Sequence, residues 1–339
     1  MKKWEGDLIM GNSILNKARY SSNNTDEWYT DYKTIENEVK HYESQFNGKK
    51  VLCNCDDPYE SAFAKYFLKN FNCLNLKKLV CISYAKSAMH SSEDGRGLLL
   101  EVDKMPYFTD GDLNNDKIFE ALNSNGNIKK LIGDGDFRSQ ECINYLIDSD
   151  IVVTNPPFSK FTELFSLITK YDKQYLLISN QNAITYKEIF PYIKNNKARV
   201  GYHFGDMAFR VPDDTEPRKT RFWVDEFGQK WRSLGNAMWL TNLEVSNDSG
   251  KKLVLTHSFK EENYPKYDNF DAVHVYRVSE IPMDYYGIMG VPLTYLKYHN
   301  DKMFEIVGEA NHGSDNEYDL FKPQINGKET FKRILIKRR

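Results

Sequence analysis

Hydrophobic residues along the first half of the chain fall into two alternating patterns. Short apolar runs predict strands, and apolar residues three or four positions apart predict helices between them. This alternation is typical of an α/β fold with a mostly parallel, doubly wound sheet that helices cover on both faces. The predicted strands are residues 50–53, 79–84, 98–102, 129–132, 151–154 and 175–179.

The helices are predicted from their apolar faces. A first helix is expected to end at Asn47-Gly48, because glycine is a common residue just past a helix end. A second is expected to begin at Pro58, whose fixed φ suits a first helical turn. Others are predicted over 118–122 and 141–147, and onward from residue 158. The faces of the first two helices consist of Ile35, Val39, Tyr42, Phe46, Phe63, Phe67 and Phe71.

Near residue 195 the pattern changes to short aromatic-rich strands separated by turns, as at 221–224 and 237–240. We therefore expect three parts. Residues 1–24 would form a leader and residues 25–195 a doubly wound domain. Residues 196–339 would supply later strands that complete its sheet and carry an insertion.

Composition restricts the setting of this protein. Five cysteines, four of them in predicted strands or helices, indicate buried thiols in a reducing compartment. Cys53 and Cys55 have no second cysteine pair or histidine cluster nearby, which argues against a zinc site. No apolar run approaches the roughly 20 residues that cross a bilayer, and the acidic start is unlike a signal peptide. We expect a cytoplasmic protein without a metal site or membrane contact.

The net charge of −2 excludes a protein covered in positive charge. A nucleic-acid binder with this balance would have to concentrate its basic groups on one face. Residues 197–232 contain eight Lys or Arg and six Asp or Glu, so the surplus is small. Arg218, Lys219 and Arg221 are the best candidates for phosphate contacts, with a solvated loop as the alternative.

The run Asn155-Pro156-Pro157-Phe158 follows a predicted strand and precedes a predicted helix. In an open α/β sheet, ligands bind where the strands end. The Asn155 side-chain oxygen and the Pro156 carbonyl can each accept one hydrogen from a flat amino group, which draws its nitrogen towards tetrahedral geometry. The two prolines fix both acceptors, and Phe158 offers a ring on which an extruded base can stack. The run therefore predicts methyl transfer to an amino nitrogen; the alternative is a strand that ends in a proline turn.

Two other polar segments follow predicted strands. Gly133-Asp134-Gly135-Asp136 combines carboxylates with glycines, which suits close approach to a cofactor's hydroxyls or amine, but Asp-Gly is also a common turn. The segment from Asn54 through Asp56 and Asp57 lies where a doubly wound fold binds the polar end of a cofactor. It lacks the usual glycine-rich turn, and its acids could instead cap the next helix.

With these segments in view, the chain resembles adenine-specific DNA methyltransferases, and most closely the EcoRI-type modification methylases. The resemblance runs through most of the chain. The segments that carry it, in order, are 26–30 (Asp-Glu-Trp-Tyr-Thr), 54–58 (Asn-Cys-Asp-Asp-Pro), 133–139 (Gly-Asp-Gly-Asp-Phe-Arg-Ser), 155–158 (Asn-Pro-Pro-Phe), 290–296 with 304–308, and the terminal 333–339.

The resemblance implies a Rossmann-like class I fold, S-adenosylmethionine as methyl donor, and N6 of a flipped adenine in double-stranded DNA as acceptor. It makes 25–195 the catalytic core and places a target-recognition region in 196–339. A cognate restriction endonuclease is a candidate partner. The residues implied for adenine are Asn155, Pro156, Pro157 and Phe158, and those for the donor are Tyr29, Thr30, Asn54, Asp56, Asp57, Asp134 and Asp136.

One departure concerns the donor ribose. The second predicted strand ends without the acidic residue that usually binds it, so Glu101 and Asp103 are the remaining candidates. Three alternatives stay open: methylation of RNA bases, methylation of protein glutamine, and an inactive DNA-binding protein on the same scaffold. A cytosine-C5 methylase is set aside, because its nucleophilic cysteine usually follows a proline and none of the five cysteines here does.

Overall fold

The computed structural model describes residues 28–87, 92–105, 115–245, 253–310 and 323–339. The predicted leader lies outside these residues. The chain divides into two compact units. The first comprises the described residues up to Ser179 together with Asp206–Gly235, and the second comprises Asn180–Gly205 and Asn236–Arg339. Each contains strands and helical segments, so the fold class is mixed α/β.

The first unit contains six α-helices within its described residues: α1 (Tyr32–Val39), α2 (Glu43–Phe46), α3 (Ala62–Lys69), α4 (Asn115–Ser124), α5 (Gln140–Asp148) and α6 (Phe161–Lys170). Its complete strands are β1 (Tyr29–Thr30), β2 (Lys50–Cys53), β3 (Lys78–Ile82), β4 (Leu98–Val102), β5 (Ile128–Lys130), β6 (Ile151–Thr154) and β9 (Phe222–Val224). It also includes β7 (Gln174–Asn180) as far as Ser179, and parts of β8 (Arg199–Arg210) and β10 (Lys230–Thr241).

Six of these strands are consecutive neighbours within one larger sheet, in the order β7-β6-β2-β3-β4-β5. The pairs β2–β3, β2–β6 and β6–β7 are parallel, as predicted. Strand β4 is the exception among these six, because it runs antiparallel to both of its neighbours, β3 and β5. Parallel neighbours need a long crossover, usually a helix, and the described residues between β3 and β4 contain none.

The parallel strands and the first helices build the core of this unit. All four residues of β6 are buried, as expected for a strand that is covered on both faces. The predicted face of the first helix is also correct, since Ile35 and Val39 in α1 and Phe46 in α2 are fully buried. The chain between α1 and α2 forms a short 3₁₀ segment, Lys40–Tyr42.

The second helix begins later than predicted. The structure starts α3 at Ala62, with the Ser61 hydroxyl accepting a hydrogen bond from the Phe63 N–H at 3.0 Å. Pro58 instead lies in a turn closed by Asp57, whose Oδ1 accepts from the backbone N–H groups of the two residues after the proline. A capping hydroxyl three positions downstream therefore decides where the helix starts.

The aromatic-rich region contains longer strands than predicted. Strands β8 and β10 each span 12 residues, while β9 is short. Strand β1 pairs antiparallel with β8, and β9 pairs antiparallel with β10 in a hairpin. In that hairpin the rings of Trp223 and Trp231 stack 6.2 Å apart.

Among its described residues, the second unit contains the helix α7 (Phe190–Lys194) and the strands β11 (Lys266–Tyr267), β12 (Phe270–His274), β13 (Ile288–Val291), β14 (Phe304–Ala310), β15 (Gln324–Ile325), β16 (Lys328–Glu329) and β17 (Arg333–Arg338). Five of these strands form a sheet in the order β11-β12-β13-β17-β14. Strand β17 pairs with β13 on one side and β14 on the other, and its Ile334, Leu335 and Ile336 are fully buried.

Within the described ranges, no helix is both long enough and apolar enough to span a bilayer.

Candidate functional site

The Asn155 side chain is held in one orientation directly after β6. Asn155 is 7% exposed, and its Nδ2 donates a 2.7 Å hydrogen bond to the backbone carbonyl of Trp28. Because a carbonyl can only accept, the amide nitrogen must face Trp28 and the Oδ1 atom must face the other way. That Oδ1 is buried and has no hydrogen-bond partner in the described structure. Asn155 therefore presents a fixed, unsatisfied acceptor at the end of a central strand.

The prolines after Asn155 continue this rigid segment. Pro156 is buried and Pro157 is partly exposed. The Pro157 carbonyl accepts a 2.9 Å hydrogen bond from the Lys160 N–H, which closes the turn into the 3₁₀ segment Phe158–Lys160. That carbonyl is therefore occupied within the fold, so the Pro156 carbonyl is the better candidate for a second acceptor.

Three aromatic rings lie together beside Asn155. The ring of Phe158 meets Trp28 edge-on at 6.2 Å and Phe209 edge-on at 6.3 Å. Trp28 and Phe209 are 5.9 Å apart and both are buried, while Phe158 keeps some exposure. Edge-on packing on two sides fixes the plane of the Phe158 ring. Trp28 and Phe209 are thus supporting residues of this site that the motif alone did not identify.

Asp56 connects the loop after β2 with the end of β6. Its Oδ2 accepts from the Thr154 hydroxyl at 2.6 Å, and its Oδ1 accepts from the Ser61 hydroxyl at 2.7 Å. Burial raises the pKa of Asp56 to about 7; the two hydroxyls oppose that rise. The pairing of Thr154 with Asp56 links the residue before Asn155 to the predicted donor loop.

Several other polar atoms in this region are buried without partners among the described residues. They are the Oδ1 of Asn54, the Oδ2 of Asp57 and the Oγ1 of Thr30. Buried polar groups are normally hydrogen-bonded, so such atoms indicate a ligand or ordered water. The Asn54 amide oxygen and the Asp57 carboxylate oxygen accept hydrogen bonds, which suits a ligand rich in N–H and O–H groups. The other oxygen of Asp57 closes the turn at Pro58, whereas Ser61 caps helix α3, so Asp57 does not cap that helix as the alternative predicted.

The loop after β5, residues 132–138, differs in character. Both Asp134 and Asp136 are partly exposed. Arg138 contacts Asp136 through two nitrogens, at 2.6 and 2.9 Å, and also contacts Glu163 at 2.9 Å. The Arg138 hydrogen bond is the main cause that lowers the pKa of Asp136 below its usual range. The predicted donor-binding acid of this loop thus already has a partner.

Glycine is required at one position of this loop. Gly135 has φ +81°, and a Cβ built on it would lie 2.1 Å from the Ser83 carbonyl oxygen. The Asp134 carbonyl also accepts a 2.7 Å hydrogen bond from the Ala85 N–H. The loop is therefore packed tightly against the residues that directly follow β3.

The two candidates for the ribose contact lie elsewhere. Glu101 is opposite Val80 in the middle of β3, and its two oxygens pair with Lys78 and Lys129. Asp103 follows β4 at the level of the first residue of β3 and is exposed. The structure brings neither residue to the edge where β3 ends.

The predicted phosphate-contacting residues Arg218, Lys219 and Arg221 are all exposed. Arg221 has a 3.0 Å ion pair with Asp206, so part of its charge is neutralised within the fold. Arg232 belongs to the same basic region, and nothing in the sequence pattern distinguishes it from the exposed arginines. Its guanidinium carbon lies 5.0 Å from the Trp28 ring centroid, and the residue is buried.

Across the described ranges, no cluster of three or more His, Cys, Asp or Glu side chains is arranged to hold a metal ion.

A family profile described as "Adenine-specific methyltransferase EcoRI" matches residues 14–339. The chain is 44% identical over 334 residues to the type II methyltransferase M.EcoRI of Escherichia coli, covering 96% of each chain. It is 35% identical to the type II methyltransferase M.MgeORF184P of Mycoplasma genitalium, covering 96% of this chain and 98% of the relative. No solved structure matches the chain significantly.

Proposed function

Because the chain belongs to the EcoRI family of adenine-specific methyltransferases, we propose how its residues carry out that reaction. The protein is a site-specific adenine methyltransferase. The acceptor is N6 of an adenine that has left the DNA duplex, and the methyl donor is S-adenosylmethionine. The observation that carries this proposal is the buried, unsatisfied Oδ1 of Asn155, fixed by the bond from Nδ2 to Trp28.

Asn155 and Pro156 activate the acceptor nitrogen. The lone pair of an exocyclic amine is delocalised into the ring, so the amine is a poor nucleophile. Asn155 Oδ1 accepts one N6 hydrogen and the Pro156 carbonyl accepts the other, which favours a tetrahedral nitrogen. Both acceptors are fixed before the substrate arrives, so little reorganisation accompanies the reaction. Phe158 stacks on the adenine ring, with its plane set by Trp28 and Phe209.

No side chain of the site needs to act as a strong base. The methylated nitrogen is cationic and loses its proton readily to water. Asp56 is buried and bonded to Thr154 and Ser61, so its role is to position the strand end that carries Asn155.

The donor lies against the loop after β2 and the strand β1. When bound, S-adenosylmethionine supplies an electrophilic methyl group on a sulfonium. Asn54 Oδ1 and Asp57 Oδ2 are buried acceptors that would receive its ammonium or hydroxyl hydrogens. Thr30 Oγ1 is a third unsatisfied polar atom of the predicted donor set. In this proposal Tyr29 lines the methionine end, and Asp134 and Asp136 lie near the donor's adenine.

The architecture of the first unit supports a Rossmann-like class I assignment. Four parallel strands occur in the order β7-β6-β2-β3, and Asn54 and Asn155 follow adjacent strands β2 and β6 at the same edge. Parallel strands place their carboxyl ends together, and that edge is the usual ligand site. We propose residues 25–195 as the catalytic core and 196–339 as the source of remaining strands and of target recognition. Arg218, Lys219 and Arg221 are proposed phosphate contacts.

Methyl transfer from a labelled donor tests the proposal. The purified protein is incubated with labelled S-adenosylmethionine and, separately, with duplex DNA, RNA and a protein extract. We expect label only in DNA, and sequencing of DNA from a methylation-free host that expresses the protein should show N6-methyladenine at one recurring sequence. Label in RNA or protein instead would redirect the acceptor assignment, and donor binding without any transfer would indicate an inactive scaffold.

The same sequencing would give the target site, and a cognate restriction endonuclease would then be sought by its cleavage of that sequence.

A further inference from the structure

Arg232 is a buried cation beside the acceptor site. It is 7% exposed, and no ion pair or side-chain hydrogen bond of its guanidinium is found among the described residues. Two other arginines of the same region are paired: Arg210 with Glu60 at 2.9 Å and Arg221 with Asp206 at 3.0 Å. Arginine is rarely buried unless it is paired. The contrast indicates that Arg232 is missing a partner that the folded chain does not supply.

The electrostatic setting of Arg232 favours an anion. Burial, and to a lesser extent the positive charge of Arg218, lower the pKa of Arg232 to about 10. The guanidinium is still charged at neutral pH, so an uncompensated charge is held in a poorly hydrated place. An incoming anion would relieve both the desolvation and the repulsion from Arg218.

The position of Arg232 relates this anion to the methyl acceptor. Its guanidinium carbon lies 5.0 Å from the Trp28 ring centroid. The carbonyl of that same tryptophan orients Asn155, and its ring packs against Phe158. Trp28 alone thus separates the guanidinium from Asn155 and Phe158, two of the three groups proposed to hold adenine. An extruded base brings its sugar and flanking phosphates with it.

We propose that Arg232 binds a backbone phosphate that flanks the target adenine, and so fixes the extruded nucleotide while Asn155 holds its amino group. The planar guanidinium matches the geometry of phosphate oxygens in a bidentate contact, and stacking on Trp28 holds it in place. This inference rests on the proposed function. It adds a substrate-binding residue outside the Asn-Pro-Pro-Phe segment and outside the exposed 218–221 segment.

Binding of Arg232→Gln to DNA tests the proposal. The probe is a duplex that carries the sequence found by methylation sequencing, with and without a neutral methylphosphonate at each phosphate beside the target adenine. For Arg232→Gln we expect a roughly ten- to hundredfold weaker Kd for the unmodified duplex. The slope of log K against log salt should shrink by about 0.9, the change for one phosphate contact. The Kd for S-adenosylmethionine alone should stay within about twofold.

The methylphosphonate series locates the contact. In the wild type, one flanking position should lose affinity when neutralised, and Arg232→Gln should lose nothing more at that position. Such non-additivity identifies two groups that interact directly. Lys230→Gln is the matched control, because it removes a positive charge from the same strand. The Lys230 ammonium donates a 3.0 Å hydrogen bond to the Thr215 carbonyl. It should preserve the position-specific loss.

The remaining outcomes count against the proposal in distinct ways. Additive losses in the cycle, or unchanged DNA binding with a stable fold, would leave Arg232 as a packing residue. Weakened binding of S-adenosylmethionine alone would assign the guanidinium to the donor's carboxylate. If Arg232→Gln does not fold, Arg232→Lys keeps the charge without the planar fork and should retain the salt slope with weaker affinity. Absence of methyl transfer by the wild type would overturn the proposed function first, and this inference with it.

Discussion

Two polar regions of the first unit each contain residues that were predicted to bind the methyl donor, yet the regions differ in burial and in hydrogen bonding. The inner polar cluster (Asn54, Asp56, Asp57, Thr154 and Asn155) is buried and retains three unsatisfied oxygens among its described atoms. The outer loop (residues 132–138) is partly exposed, and its Asp136 is neutralised by Arg138. Unpaired buried atoms point to a ligand, whereas paired exposed ones are satisfied within the fold. We therefore assign the chemistry to the inner polar cluster and a shaping role to the outer loop.

The largest effect is expected at Asn155. Asn155→Ala removes the fixed acceptor, and turnover should fall by about 10²–10³-fold or more, as for loss of a preorganised hydrogen-bonding group. The Kd for S-adenosylmethionine should change only a few-fold, because the donor contacts lie on other residues. Single-turnover methylation and calorimetry measure the two quantities. Asn144→Ala, a substitution of an exposed asparagine, is the control. Near-normal turnover of Asn155→Ala would move the chemistry out of the inner polar cluster.

The next effect concerns the backbone of the outer loop. Gly135→Ala places a methyl group against the Ser83 carbonyl and forces a positive φ on a residue with a side chain. We expect about 3 kcal/mol lower free energy of unfolding. Gly133→Ala is the matched control, because its Cβ would meet only a flexible Glu141 oxygen at 3.4 Å, and it should cost under about 1 kcal/mol. Equal losses in urea unfolding would show that the close approach at Gly135 is unimportant.

The contributions of Asp56 in the inner polar cluster and Asp136 in the outer loop to the free energy of unfolding should change with pH in opposite directions. The folded protein keeps a proton on Asp56 between about pH 4 and 7 that the unfolded chain has lost. The stabilising effect of that proton is therefore lost as pH rises towards 7, at up to about 1.4 kcal/mol per pH unit. We expect the free energy of unfolding of the wild type to fall relative to that of Asp56→Asn as pH rises from about 4 to 7, measured by urea unfolding at each pH.

Asp136→Asn supplies the opposite case for that series. The pKa of Asp136 is lowered in the fold, so its contribution is present above the ordinary aspartate range and is lost as pH falls below it. The wild type should thus lose its advantage over Asp136→Asn only in acid. Parallel curves for the two substitutions would mean that the two carboxylates have the same environment.

The smallest effect is expected at the Arg138 ion pair. Arg138→Gln frees Asp136 and Glu163, but all three side chains are partly exposed, so the free energy of unfolding should fall by less than about 1 kcal/mol. Because Asp136 keeps its position, turnover should stay within a few-fold. Kinetics at saturating donor and DNA, together with thermal unfolding, check both values. A loss as large as that of Asn155→Ala would place the outer loop in the chemistry.

The sequence alone determined most elements of the first unit and the location of the acceptor segment. Strand–helix alternation predicted β2, β3, β6 and β7, since hydrophobic period and strand length are local properties. It also placed Asn155 at the end of a buried strand. It could not predict the antiparallel return of β4 or the length of β8, because both depend on which strands pair across the sheet.

Only the tertiary structure decided which polar groups are satisfied. Asn155 bonds to Trp28 across 127 positions of sequence, and Thr154 bonds to Asp56 across 98. Such pairings depend on the chain topology, and a single sequence does not reveal which distant residues come into contact. The burial of Arg232 is also a tertiary property, because the number of charged residues in a segment does not show which of them are buried. Local pattern fixed the types of side chain available, while burial and distant partners determined the protonation, orientation and chemical use of each.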